Sequence, residues 1–172
     1  WYSAAAAAAL RLSSKSHWDV PVRIGSRRVH LVCAHPTPGI FDGPEDRNGR
    51  RNFDEIRLVA DYLRGGDAAA YIGDDGGRRG AIAPDALFVV MGDFNSDPAR
   101  DEAPYGRRAM DAILTLPAVQ DPAPAGAGST GDGAPGPPRF LERRTSEYGR
   151  IDYVLPSRGM TLLSSAVFWP AA

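Results

Sequence analysis

Ala86-Leu87-Phe88-Val89-Val90-Met91-Gly92-Asp93-Phe94-Asn95 is the stretch on which the fold of this chain turns. Six apolar residues in an unbroken run predict a strand covered on both faces, the habit of strands inside layered α/β folds. Gly92 lets the backbone turn where the strand ends. Asp93 and Asn95, two positions apart, point the same way from that rim. A carboxylate there can orient water or assist at a metal, and an amide can hold a phosphate oxygen. The plainer alternative is a polar turn continued by Asp97-Pro98, because Asp, Asn and Gly all favour turns.

Upstream, Val20 to Ile24, the turn Gly25 to Arg28, and Val29 to Ala34 predict a β-hairpin. It ends in His35-Pro36-Thr37-Pro38, where two prolines stop the ladder. Ala4 to Leu12 predict a short helix. Phe53, Ile56, Ala60 and Leu63 fall at helical spacing and predict a helix from about Asn52 to Arg64, closed by Gly65 and Gly66. Downstream, a helix is expected over Gly106 to Leu116, stopped by Pro117. Ile151 to Leu155 and Leu162 to Phe168 are expected as closing strands. Residues 122–138 hold ten Pro and Gly in seventeen, the composition of an irregular loop. The order of strands and helices predicts a layered α/β domain with a mixed sheet.

The chain has 172 residues, 43% hydrophobic and 24% charged, enough for one ordinary domain with a sizeable core. Net charge is −1, so no global basic field draws it to nucleic acid or an anionic membrane. Lys15 is the only lysine among the basic residues. The single Cys33 precludes an intramolecular disulfide and reads as a small core residue. No apolar run is long enough to span a bilayer.

Three predicted strands thus end in polar groups: His35, the pair Asp93 and Asn95, and Arg150-Ile151-Asp152-Tyr153-Val154. This order of H-P-T-P, D-E-I-R on a helix, G-D-F-N and R-I-D-Y-V resembles the endonuclease/exonuclease/phosphatase superfamily. Ser13 to Val22 and His35 to Arg57 resemble a bacterial branch of it, many of whose members are exported to the periplasm or beyond. The resemblance implies part of a four-layered α/β sandwich of the deoxyribonuclease I type with mixed β-sheets. It also implies a phosphoesterase activity dependent on Mg²⁺ or Mn²⁺, with a phosphate ester of a small molecule, lipid headgroup or nucleic acid as substrate. The expectation is a partial domain over residues 1–172. The family's early strands, with an Asn and a metal-binding Glu, are expected before Trp1. Its late Ser-Asp-His segment is expected beyond the last residue. Neither Glu45, Glu55 nor Glu102 lies on an apolar strand to replace that Glu, and the fragment alone is expected to be inactive.

By resemblance, Asp93 orients or activates the attacking water and Asn95 binds the scissile phosphate. His35 matches a position that contacts the phosphate or assists the leaving group. Asp152 matches the carboxylate that orients the general-base His. Its alternative is a buried Asp satisfied by Arg150, while Tyr153 reads as core. Arg47, Asn48, Arg51 and Asn52 cluster where a helix N-terminus and guanidinium groups make a phosphate pocket. A solvated, capped helix end is the alternative. No metal ligand is assigned within this chain, Asp93 being the one candidate. Lys15 and His17 recur in the bacterial branch. Asp42, Glu45 and Asp46 do not have the spacing of a calcium loop. A non-catalytic binding or structural segment is the alternative function, and a nuclease is the alternative within the enzyme class.

Overall fold

The computed structural model describes residues 2–101, 103–124, 144–146 and 148–167. Helix α1, Ala4–Ala9, leads into strands β1, His17–Ile24, and β2, Arg27–Ala34. Helix α2, Arg47–Arg64, a 3-10 turn over Gly66–Ala69, strand β3, Leu87–Asp93, helix α3, Asp111–Leu114, and strand β4, Asp152–Pro156, follow. The four strands form one sheet in the order β1-β2-β3-β4. β1 and β2 are the expected antiparallel hairpin, β2 and β3 run parallel, and β3 and β4 run antiparallel. The sheet is therefore mixed, and the fold is α/β.

Alternation along the strands separates two faces. Val32, Val90 and Leu155 are fully buried in one cross-strand row. Helix α2 covers that face with Ile56, Val59, Ala60 and Leu63. Phe94, Met110 and Ile113 fill the remaining volume. The opposite face carries a second row, Trp18, Cys33, Met91 and Val154. Here Trp18 and Val154 are both 61% exposed. Val20 is also exposed beside its partner Leu31. The sheet is thus apolar on both faces but covered on one.

Three expectations change in detail. Helix α2 starts five residues before Asn52, because Asp42 Oδ2 accepts the Asn48 N–H and satisfies an early donor. The apolar period begins only at Phe53, so periodicity did not reveal this first turn. The helix expected over Gly106 to Leu116 shrinks to Asp111–Leu114. Gly106 sits at φ 70°, and the turn is closed by tight i,i+3 bonds from Ala112 to Ala109 and from Ile113 to Met110. Residues 162–167 are not a strand, and Leu163 is 92% exposed. Phe168, residues 125–138 of the Pro/Gly-rich stretch and Glu102 lie outside the described residues.

Candidate active site

The parallel pairing of β2 and β3 ends both strands at one rim of the sheet, and antiparallel β4 begins there. His35 follows β2, Asp93 ends β3, and Asp152 opens β4 directly across the register from Asp93. His35 Nε2 lies 3.7 Å from Asp93 Oδ2, with side-chain exposures of 49% and 33%. Asp93 Oδ1 accepts the Asn95 N–H at 2.8 Å, an Asx turn that leaves Oδ2 toward His35. Asn95 takes φ 49°, the left-handed region that Asn tolerates. Its Nδ2 donates to the Pro36 carbonyl at 3.1 Å, so the two loops lean on each other.

Gly92 makes this approach possible. It holds φ 148°, and a Cβ there would collide with the Ala34 carbonyl oxygen. Burial, then the charge of Asp93, push the Asp152 carboxyl above the usual carboxylate range; a hydrogen bond from Thr145 and the nearby His35 oppose the rise. Thr145 Oγ1 also accepts the N–H groups of Ile151 and Asp152, at 3.1 and 2.9 Å. Arg150 does not pair with Asp152. It forms a two-pronged bond to Asp121 at 2.8 and 2.6 Å and lies over the ring of Tyr153. Tyr153 is core, as expected, with its ring edge-on to Phe94. Its hydroxyl lies within hydrogen-bond distance of the Ser96 and Arg150 carbonyls.

The residues expected to make a phosphate pocket separate. Asn52 is buried, and its Nδ2 donates to the carbonyls of Thr37 and Phe94 at 2.8 and 2.9 Å. It joins the loop after His35 to the turn after Asp93. Arg51 donates from Nε to Glu55 Oε1 at 3.0 Å and from its second terminal nitrogen to the Arg11 carbonyl. Arg47 is exposed on the first turn of α2. Asn48 Nδ2 donates to the Ile40 carbonyl. Lys15 lies beside the rim, with Nζ 3.3 Å from the His35 and Pro36 carbonyls.

Two supporting roles were not expected from the sequence. Glu55, 3% exposed, accepts the N–H groups of Ser14 and Thr37, the Thr37 hydroxyl and Arg51 Nε. Its sequence signal was a single carboxylate among the apolar positions of a helix. Thr145 had none, since only the fold brings it to β4. Among the described residues no three His, Cys, Asp or Glu side chains are arranged to hold a metal ion. The donors at this rim, Asp93 and Asp152, are two hard carboxylates and do not alone make a complete cation site.

A family model described as Endonuclease/Exonuclease/phosphatase family matches residues 9–172. No curated protein matches the chain.

Proposed function

The chain belongs to the Endonuclease/Exonuclease/phosphatase family, hydrolases that act on phosphoric esters, and from that premise we propose that its rim of strand ends is a phosphoester-cleaving centre. The observation that carries the reading is the convergence of His35, Asp93 and Asp152 at one end of the sheet. Asp93 Oδ2 accepts a proton from the attacking water, or orients that water for in-line attack on phosphorus. Asn95 keeps one amide N–H beyond the one given to Pro36, and that N–H donates to a non-bridging phosphate oxygen. His35, half exposed, donates to the oxygen on which charge develops. Asp152 orients a basic His supplied by a later segment of the domain, in the manner of an Asp-His pair.

Arg47 adds a positive charge at the mouth. Arg51 and Asn52 act differently from a phosphate pocket: Asn52 donates to the loops that carry His35 and Asn95, and Arg51 braces Glu55 and the Arg11 carbonyl. Mg²⁺ or Mn²⁺ is the cation this reading calls for, with ligands mainly in strands outside this chain. The uncovered apolar row of Trp18, Cys33, Met91 and Val154 supports a domain that continues beyond these residues, with a second sheet packed on that face.

With a net charge of −1, a phosphate ester of a small molecule or lipid headgroup suits the chain better than duplex DNA. The test is the full-length protein with Mg²⁺, assayed on bis-(p-nitrophenyl) phosphate and on plasmid DNA. Cleavage of the small ester alone is the expected result. Nicking of the plasmid would make the enzyme a nuclease. Inertness toward both would favour a non-catalytic binding segment.

A further inference from the structure

A cleft lined by arginines lies at the other end of the sheet. The hairpin that joins β1 to β2 forms one wall of an open cleft of about 520 Å³, and residues 83–87 form the other. Arg23, Arg27 and Arg28 line it, with Ser26 and His30 beside them and Asp85 as the one carboxylate. Arg28 lies seven residues from His35 along β2, about 23 Å at the usual rise per strand residue, so the cleft is separate from the candidate active site. Arg28 shares its strand face with His30 and Val32, the side covered by helix α2, and not the open apolar face.

The arginines are arranged against their own electrostatics. Arg23 and Arg28 are direct cross-strand partners, and like charges placed opposite each other in an antiparallel pair destabilise the sheet. Among the described residues no ion pair is formed by Arg23, Arg27 or Arg28, and all three are exposed. His30 does not relieve them, since its Nδ1 is held by Asp19 at 2.8 Å. Elsewhere in the fold, guanidinium groups do find carboxylates: Arg51 pairs with Glu55, Arg64 with Asp61 and Arg150 with Asp121. Among the described residues Arg47, Arg78, Arg79 and Arg158 also form no ion pair, but Arg23, Arg27 and Arg28 line one cleft together. Guanidinium forks match phosphate oxygens two at a time, and a bound polyanion would turn the Arg23–Arg28 repulsion into a clamp.

We propose that this cleft binds a compact, multiply charged phosphate group, free or carried on a small molecule or lipid headgroup. Three arginines gathered at one cleft, with no further Lys or Arg among the described residues that line it, suit a pyrophosphate-sized group better than a nucleic-acid strand, which needs a continuous basic track. The site is independent of the hydrolytic reading, because it shares no residue with it.

The experiment is calorimetric titration of the full-length protein with inorganic pyrophosphate, compared with the double variant Arg23→Gln/Arg28→Gln. The wild type is expected to bind and the double variant to bind at least about tenfold more weakly, with unchanged hydrolysis of bis-(p-nitrophenyl) phosphate. Equal binding by both proteins, or none by the wild type, would overturn the proposal. So would a short oligodeoxynucleotide that binds through Arg23 and Arg28 where pyrophosphate does not. Vesicles of phosphatidylcholine with a phosphoinositide separate the sources. Arginine-dependent capture assigns the group to a headgroup, and pyrophosphate binding without capture assigns it to a free anion; both support the shared chemistry. Arg28→Glu supplies a folding control. It gives Arg23 an opposite charge and is expected to raise Tm without pyrophosphate while abolishing pyrophosphate binding. A lower Tm would contradict the repulsion on which the argument rests.

Discussion

Asp152, a residue of the proposed site, opposes stability at neutral pH. Its carboxyl is held above the ordinary range by burial and by Asp93 directly across the ladder. A carboxyl raised on folding binds more protons in the folded chain than in the unfolded one. Its favourable contribution is complete below the unfolded value and is lost as pH rises through the folded value. Asp152→Asn is therefore expected to raise Tm at neutral pH and to flatten the acid-side dependence of stability, while hydrolysis is lost. A Tm below that of the wild type at neutral pH would contradict this account. Gly92 is the other sensitive residue. Gly92→Ala forces a Cβ into the Ala34 carbonyl at positive φ, and a loss of about 3 kcal/mol is expected in urea denaturation.

At the scale of elements, helix α2 braces the loops of the proposed site. Glu55 takes four hydrogen bonds from Ser14, Thr37 and Arg51, and Asn52 bonds the loops after β2 and β3. Asn52→Ala leaves the buried Phe94 carbonyl and the part-buried Thr37 carbonyl without this donor. A loss of about 2 kcal/mol is expected, measurable by urea denaturation, together with reduced turnover as His35 and Asn95 lose their register. Glu55→Gln breaks a buried charged pair and is expected to cost about 3 kcal/mol in the same measurement.

Elements with strong periodic or apolar signals were legible in the sequence: the hairpin, β3, β4 and the body of α2. The first turn of α2 was not, because its residues are polar and its cap comes from Asp42 by a side-chain bond. The short α3 was overread, because Met110 and Ile113 have helical spacing while Gly106 stops the backbone. The grouping of His35, Asp93 and Asp152 could be anticipated from strand ends and motif order. The internal commitments of Arg51, Asn52 and Glu55 could not, since they depend on where Thr37, Phe94 and Arg11 come to lie.

On the scale of the whole molecule, one sheet carries two apolar faces and covers one. The isolated residues 1–172 are expected to bind a hydrophobic dye and to self-associate through the row from Trp18 to Val154, whereas the full-length protein does neither. They are also expected to hydrolyse nothing measurable with Mg²⁺. Robust turnover by the isolated chain would show that the centre is complete without further strands.

The most direct test of the account is the initial rate of p-nitrophenolate release from bis-(p-nitrophenyl) phosphate by the full-length protein with Mg²⁺, set against its Asp93→Asn variant. The carboxylate and amide are nearly isosteric, and the amide can still accept the Asn95 N–H. A fold held intact and a rate reduced by roughly 10²–10⁴ is the predicted result. A variant that hydrolyses the ester at the wild-type rate would contradict the placing of the reaction at Asp93.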